Sequence, residues 1–284
     1  MSPNEDEIVH VSDTALMVAA CRAMETARPD GLVRDPFAER LAGTRGMAIA
    51  RGIPGLDMMC FGVGIRSRFL DELLMHAVTA FPVETVVSVG AGLDTRPWRL
   101  DLPADLRWVE VDFPAMLEYK AALLASDRPK CGLVRVAADL NDGAQRQVLF
   151  EAAGHALGLM ITEGLLAYLP AETVEALAVE TGARTGIRFW LLDLASPELA
   201  RRAGMDSRKS IQNVRAANPL DGIQILDVLR RNAWSSIRSR TYTKDALEAA
   251  AGRIQAMAAN HAGREQMAPP PPDDPSGVHL FGRG

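Results

Sequence analysis

The stretch Thr85-Val86-Val87-Ser88-Val89-Gly90-Ala91-Gly92-Leu93-Asp94-Thr95-Arg96 decides how the chain folds. Its first five residues are almost uniformly apolar or β-branched, and they run directly into two glycines one residue apart. That is the pattern of a buried strand entering a tight turn. A strand apolar along its whole length has both faces covered, as in a parallel sheet flanked by helices. The same texture recurs downstream. Strands are read at Leu106 to Val111, Gly132 to Ala138, Ala156 to Thr162 and Arg188 to Asp193, with helices between them at about Ala115 to Ser126, Gly143 to Ala153 and Ala171 to Thr181. Strand and helix in alternation predict an α/β fold, a doubly wound and mainly parallel sheet.

Upstream of this unit lie about eighty residues read as helix. Ser12-Asp13-Thr14 offers cap oxygens before the strong helix formers Ala15 to Glu25, which Pro29 and Gly31 end. A second helix is expected at Pro36 to Leu41, and a third at Ile65 to Thr79 after the breakers Gly52, Pro54 and Gly55. Residues 1–80 are therefore read as a helical cap over a core at 81–267, with an insertion on the substrate side around 196–225. Within the later part, Asp221 to Asn232 and Lys244 to Ala259 read as helices and Trp234 to Thr241 as a strand. Residues 268–284 form a proline-rich C-terminal segment, in which Pro269 to Asp274 reads as an extended linker. Val278 to Phe281 is either an ordered last strand or a loose tail.

The chemistry is expected at the strand ends. Glycines at 90 and 92 let the backbone pass close beneath a nucleotide-like ligand, although a lone G-x-G is weak evidence. Strand two ends on Asp112, twenty residues after Gly92, where a carboxylate can accept hydrogen bonds from both hydroxyls of a ribose. The two signals together point to an adenosine. A dinucleotide site needs a third small residue so that pyrophosphate can rest on a helix N-terminus, and Thr95 stands in that place. S-adenosylmethionine carries no phosphate and makes no such demand. At the third strand's end, Asp139 is placed either to hydrogen-bond the adenine amino group, with Leu140 packed on the ring, or to cap the next helix. Glu163 follows a buried run, a costly position for a carboxylate unless a cation meets it. The ligand's ammonium is one such cation. Arg66, in Arg66-Ser67-Arg68, is a candidate for a two-pronged pair with the ligand's carboxylate, set against the plainer reading of a solvated helix face.

Composition narrows the classes further. The 284 residues are 48% hydrophobic and 24% charged, enough apolar material for a large core. A net charge of −5 gives no reason to expect nucleic acid or an anionic membrane as partner, and no apolar run approaches the ~20 residues that span a bilayer. Cys21, Cys60 and Cys131 are widely spaced, without a zinc-knuckle or disulfide-framework pattern. With an acidic start unlike a secretory signal, this suits a cytoplasmic protein. The five histidines show no HxxxH or HExxH spacing, so no metal site is expected.

These residues resemble the class I methyltransferases of the leucine carboxyl methyltransferase type, a family that includes polyketide carboxyl O-methyltransferases. The likeness spans most of residues 11–195. It rests on Val11 to Ala15 with Arg22 to Thr26, on Asp35 to Ala38, Arg66 to Asp71, Val89 to Arg96, Glu110 to Pro114, Ala138 to Leu140 and Thr162 to Leu169. It implies a Rossmann-like fold with S-adenosylmethionine as cofactor. It also implies that Arg66 meets the methionine carboxylate, that Gly90 lines the ligand with Ala91 and Gly92, that Asp112 with Phe113 binds the ribose side, that Asp139 and Leu140 frame adenine, and that Glu163 lies near the sulfonium. The expected reaction is methyl transfer to a carboxylate of a small molecule or peptide C-terminus. Arg22 and Tyr168 are the candidates for positioning the acceptor. Pro97-Trp98 departs from the family pattern, and the region after residue 195 matches it poorly. A nicotinamide oxidoreductase and a relative that binds cofactor without catalysis are the alternatives. The sequence does not fix the oligomeric state.

Overall fold

A computed structural model describes residues 11–184, 186–202, 219–260 and 274–284. The acidic N-terminal stretch, much of the 196–225 insertion and the prolines 269–272 lie outside the described residues. In chain order the elements are α1 (Val11–Ala27), α2 (Ala38–Arg51), α3 (Leu56–Ala80), β1 (Thr85–Val89), α4 (Arg96–Arg99), β2 (Arg107–Asp112), α5 (Pro114–Leu123), β3 (Gly132–Ala137), α6 (Gly143–Ala153) and β4 (Gly158–Thr162). A 3-10 turn at Leu166–Tyr168 precedes α7 (Ala171–Arg184), β5 (Ile187–Leu194) and α8 (Pro197–Arg202). Then come α9 (Gly222–Arg231), β6 (Ser235–Thr241), α10 (Lys244–Asn260) and β7 (Gly277–Gly282).

The strands form one sheet in the order β3-β2-β1-β4-β5-β7-β6. The first five are mutually parallel, and β7 lies antiparallel to both β5 and β6. From β1 the chain winds outward to β2 and β3, then crosses back to start β4 on the other side of β1. The strand order therefore reverses between β1 and β4, which opens a crevice at their carboxyl ends. Every residue of β1 and of β4 is buried, because helices cover both faces. Alternation within β1 divides the core: Val87 and Val89 pack with α6, α7 and α9, while Val86 packs on the other face with residues of α3. Glu110, in the middle of apolar β2, is accommodated by ion pairs to Lys120 and Arg135.

Val278 to Phe281 is a strand inside the sheet, and Val278, Leu280 and Phe281 are buried. The end of the segment drawn apart at residue 268 is thus part of the core. In the cap, α1 already runs from Val11, so Ser12, Asp13 and Thr14 occupy its first turn rather than capping it. Asp13 instead receives two hydrogen bonds from Arg45 of α2, at 2.7 and 2.8 Å. The second helix starts at Ala38, two residues later than read, and continues to Arg51 through a kink at Gly43. The third begins at Leu56, earlier than read, because two of its glycines are helical here. At Gly64 a Cβ would lie 2.9 Å from the carboxylate of Glu25 on the crossing α1.

Candidate functional site

The ends of β1 and β2 are tied together by the carboxylate of Asp112. The Gly92 amide donates to one of its oxygens at 2.6 Å and the Phe113 amide to the other at 2.7 Å, so the side chain is held across the glycine turn. Burial pushes this carboxyl above its ordinary value, against the pull of the two amides. The Ala91 amide donates to the Val111 carbonyl at 3.1 Å, which closes the junction. Gly90 takes a φ of +63°, yet a Cβ there would meet a Leu165 methyl carbon at 2.9 Å. The left-handed backbone is what demands the glycine, since the Leu165 methyl groups are the free end of a flexible side chain. Phe113, at the start of α5, is 44% exposed beside the turn.

At the end of β3, Asp139 accepts from the Asn141 amide at 2.9 Å, and its own amide donates to Gln145. The cap of α6 is Asp142, which accepts from the Ala144 amide at 2.8 Å, so of the two readings left open for Asp139, capping belongs to another residue. Leu140 is buried in the cluster that holds Val89 and Val111.

The largest feature is a buried web of charge at the ends of β4 and β5. Glu163 accepts from Arg66 Nε at 3.0 Å and from Arg96 Nη1 at 2.8 Å. Burial alone would raise its carboxyl, but Arg96 and Arg66 hold it below the usual range. Arg96, only 2% exposed, also donates to Asp71 at 2.7 Å and faces Asp94 at 3.1 Å. Against the same burial, Arg96 and Lys120 bring the Asp94 carboxyl down to about 2. Arg99 donates twice to Asp71 and reaches Thr95, whose hydroxyl donates to Asp35 at 2.7 Å. Arg22 completes this end, donating to Asp35 at 2.8 Å and to the Leu93 carbonyl at 2.6 Å. Arg22, the candidate for positioning an acceptor, is therefore buried, with its guanidinium bound to Asp35 and the Leu93 carbonyl.

Two further residues flank Arg66. Asp193, at the end of β5, accepts from the Gly164 amide at 2.6 Å and stands 3.5 Å from Arg66 Nη1. Burial raises its carboxyl, and Arg66, that amide and its own backbone amide offset the rise only in part. The hydroxyl of Tyr242, just after β6, is shut off from solvent and has no hydrogen-bond partner among the described residues. Burial lifts its phenol well above the ordinary value, and the neighbouring Asp193 adds to the shift. Tyr168 sits in the 3-10 turn after β4, half-buried and within electrostatic reach of Arg66. The structure thus brings Arg66, Glu163 and Tyr168 to one place and the glycine turn, Asp112 and Phe113 to the neighbouring one. Sequence reasoning passed over Asp193 although it ends an apolar run just as Asp112 and Glu163 do. Nothing in the sequence marks Tyr242.

Comparison with known proteins fits this geometry. The profile of the leucine carboxyl methyltransferase family matches residues 15–181. A protein of Streptomyces coelicolor with the provisional name S-adenosyl-L-methionine-dependent methyltransferase is 39% identical over 182 residues, 60% of this chain and 63% of its own length. A similarly named protein of Streptomyces avermitilis is 37% identical over 209 residues, 68% of this chain and 72% of its own. The chain thus spans under two thirds of the first relative's length and somewhat more of the second's. Among solved structures, a DUF574 family protein from Streptomyces avermitilis superposes with a TM-score of 0.60 at 12% identity, covering 94% of this chain and 97% of that one. The small RNA methyltransferase HEN1 superposes at 0.51 with 12% identity over 77% of this chain and 26% of its own. At such identities the superpositions speak to the fold alone. By profile, by relatives and by the doubly wound sheet itself, this chain belongs to the leucine carboxyl methyltransferase family.

Proposed function

We propose that the chain is an S-adenosylmethionine-dependent methyltransferase that esterifies a carboxylate of a small molecule or a peptide C-terminus. The observation that carries the reading is the Asp112 carboxylate, fixed by two backbone amides at the end of β2 beside the glycine turn. There it would take the ribose hydroxyls, with Phe113 beside it and Asp139 at the next strand end toward the adenine. Arg66 and Glu163 would lie along the amino-acid end. The side chains present suit this ligand: carboxylates and a guanidinium for a zwitterion, and the buried Tyr242 hydroxyl, which lacks a partner among the described residues. A nicotinamide dinucleotide fits less well. The helix after the glycine turn is four residues long, and the Thr95 hydroxyl at its start is spent on Asp35, so the pyrophosphate has no helix N-terminus to rest on.

The bound cofactor supplies a methyl group made electrophilic by its sulfonium. A carboxylate acceptor is already anionic near neutral pH, so the chain needs no base to activate it. Its part is to align the acceptor and keep water out, which can supply ~7–11 kcal/mol. The histidines among the described residues agree with this division of labour. His155 precedes the amino end of the central strand β4, opposite the carboxyl ends that form the crevice, His76 lies on α3 against Phe81, and the His279 ring is engaged with the Pro275 carbonyl.

The experiment is transfer of labelled methyl from S-adenosylmethionine to a panel of carboxylic acids, phenols and amines. A product that releases labelled methanol in mild alkali is the expected outcome, since only esters do so. Label confined to alkali-stable products would overturn the carboxylate assignment, and absence of any cofactor binding would overturn the methyltransferase reading.

A further inference from the structure

Two of the three cysteines meet in the helical cap. Cys21 on α1 and Cys60 on α3 are 60 − 21 = 39 residues apart in the chain, yet they form one buried cluster with Val63, and neither is more than 4% exposed. The two helices pack side by side in a single register. Four residues beyond each cysteine, Glu25 of α1 lies so near Gly64 of α3 that a Cβ on the glycine would stand 2.9 Å from the carboxylate. Residues four apart share one helix face, so the two thiols face each other one turn earlier in the same tight crossing. Protonated, the Cys60 thiol donates to the Met24 thioether at 3.7 Å. A hydrogen bond from Cys21 lowers the Cys60 thiol below its ordinary value, whereas that bond and burial raise the thiol of Cys21. Cys60 is thus the readier nucleophile of the two. It is also the shallower one, since Asp57 and Met58 in the turn before it are exposed. Cys131 differs: it packs alone of the three in the cluster of Val86 and Trp108, and burial pushes its thiol up to about 11.

We propose that Cys21 and Cys60 are a dithiol that hydrogen peroxide converts into an intramolecular disulfide, bracing α1 against α3. The Cys60 thiolate attacks one peroxide oxygen and the O–O bond breaks, which leaves a sulfenic acid on Cys60 and a hydroxide that takes up a proton to become water. The Cys21 sulfur then attacks the Cys60 sulfur. The S–S bond forms, and the sulfenic hydroxyl departs with the Cys21 proton as a second water. Two thiols are oxidised, and one peroxide is reduced to two waters. The brace acts on the part of the cap that touches the glycine turn. On α1, Arg22 next to Cys21 donates to the Leu93 carbonyl at 2.6 Å, and a Cβ on Gly92 would lie 3.6 Å from the Ala15 side chain. The inference goes beyond the methyltransferase reading and does not depend on which ligand the crevice takes.

The test treats the full, reduced chain with hydrogen peroxide, blocks remaining thiols by alkylation under denaturing conditions, and maps the products by mass spectrometry without reductant. The expected product is a monomer lighter by two hydrogens, with the peptides of Cys21 and Cys60 joined and Cys131 alkylated. Closing a loop of this length is expected to raise the melting temperature by about 5–15 °C, and dithiothreitol reverses the rise. Hydrogen exchange in α1 slows in the oxidised form. Cys131→Ser behaves as the parent does, whereas Cys21→Ala and Cys60→Ala form no internal disulfide and show no rise on peroxide treatment. The proposal is overturned if peroxide only adds oxygen to the thiols or leaves all three alkylatable, if the bridge involves Cys131 or joins two chains, or if the oxidised protein melts no higher than the reduced one. A rise that persists in either alanine variant overturns it as well. The mapping and the melt of the parent chain decide the matter even where a variant does not fold.

Discussion

Replacing Asp112 by Asn tests the strand junction and the ligand site in one variant. Both carboxylate oxygens accept from backbone amides, Gly92 at 2.6 Å and Phe113 at 2.7 Å. An asparagine of the same shape offers one oxygen and one NH2 group, so whichever way it turns, a donor faces a donor. One partly buried amide then loses its acceptor, at about 1–3 kcal/mol. For a chain of this size that corresponds to a fall of roughly 2–8 °C in melting temperature, read by scanning calorimetry on the ligand-free protein. Replacement also relieves the ionised carboxyl of its burial cost, so the lower part of that range is expected. The ligand suffers separately. Ribose hydroxyls lose a charged acceptor worth about 1.5–3 kcal/mol, or roughly 10–150-fold in Kd. Because S-adenosylhomocysteine and 5′-methylthioadenosine both carry the ribose, they weaken by the same factor. Unchanged affinity for both ligands in a folded Asp112→Asn protein would refute the assignment of the ribose to β2.

Three other perturbations probe how the scaffold holds the site. Glu25 on α1 is fully buried and receives two hydrogen bonds from Arg253 of α10, at 2.6 and 2.7 Å. Arg253→Met strands that carboxylate and is expected to cost about 3–5 kcal/mol in urea unfolding, with Glu25→Gln added on top restoring part of it; additive losses in the double variant would contradict the pairing. Burial holds the His279 imidazole below its ordinary value of 6.5, so below that pH the unfolded chain binds the proton more readily and stability falls as the solution is acidified. His279→Gln is therefore expected to flatten the stability profile between about pH 7 and 5, and parallel profiles would show that the histidine does not drive it. Finally, deleting residues 275–284 removes β7 and bares the edges of β5 and β6. Aggregated material on size exclusion is expected, and a monomer with a cooperative melt would show the last strand to be dispensable.

Much of this architecture was legible in the residues, and the part that was not has a common physical reason. Of the parallel strands, β1, β2 and β4 were found because burial on both faces leaves an apolar signature independent of context, whereas β3 is a largely exposed edge strand: β1 coincides with its reading, and β2 is displaced by one residue, from Leu106–Val111 to Arg107–Asp112. Asp112 was legible because its spacing from the glycine turn is fixed by one strand-helix-strand unit. The cap helices were read short because α2 and α3 are extended by tertiary packing rather than by local propensity. Glu163 was singled out correctly as a carboxylate that needs a cation. Its partners Arg66 and Arg96 lie 97 and 67 residues away, and only folding brings them to it. Tyr242 follows a largely exposed edge strand in the region that fits the family pattern least, so the burial of its hydroxyl leaves no trace in the local sequence.

The charge web also bears on why the site is built this way. Buried ion pairs are poor sources of stability, since apolar side chains of similar volume often serve a fold equally well. Yet Arg66, Arg96 and Arg99 are set among Asp71, Asp94, Glu163 and Asp193 at the ends of strands that could have closed with leucine. Groups fixed in this manner do not have to reorganise when a charged ligand arrives, and in a site shielded from water their fields act at full strength.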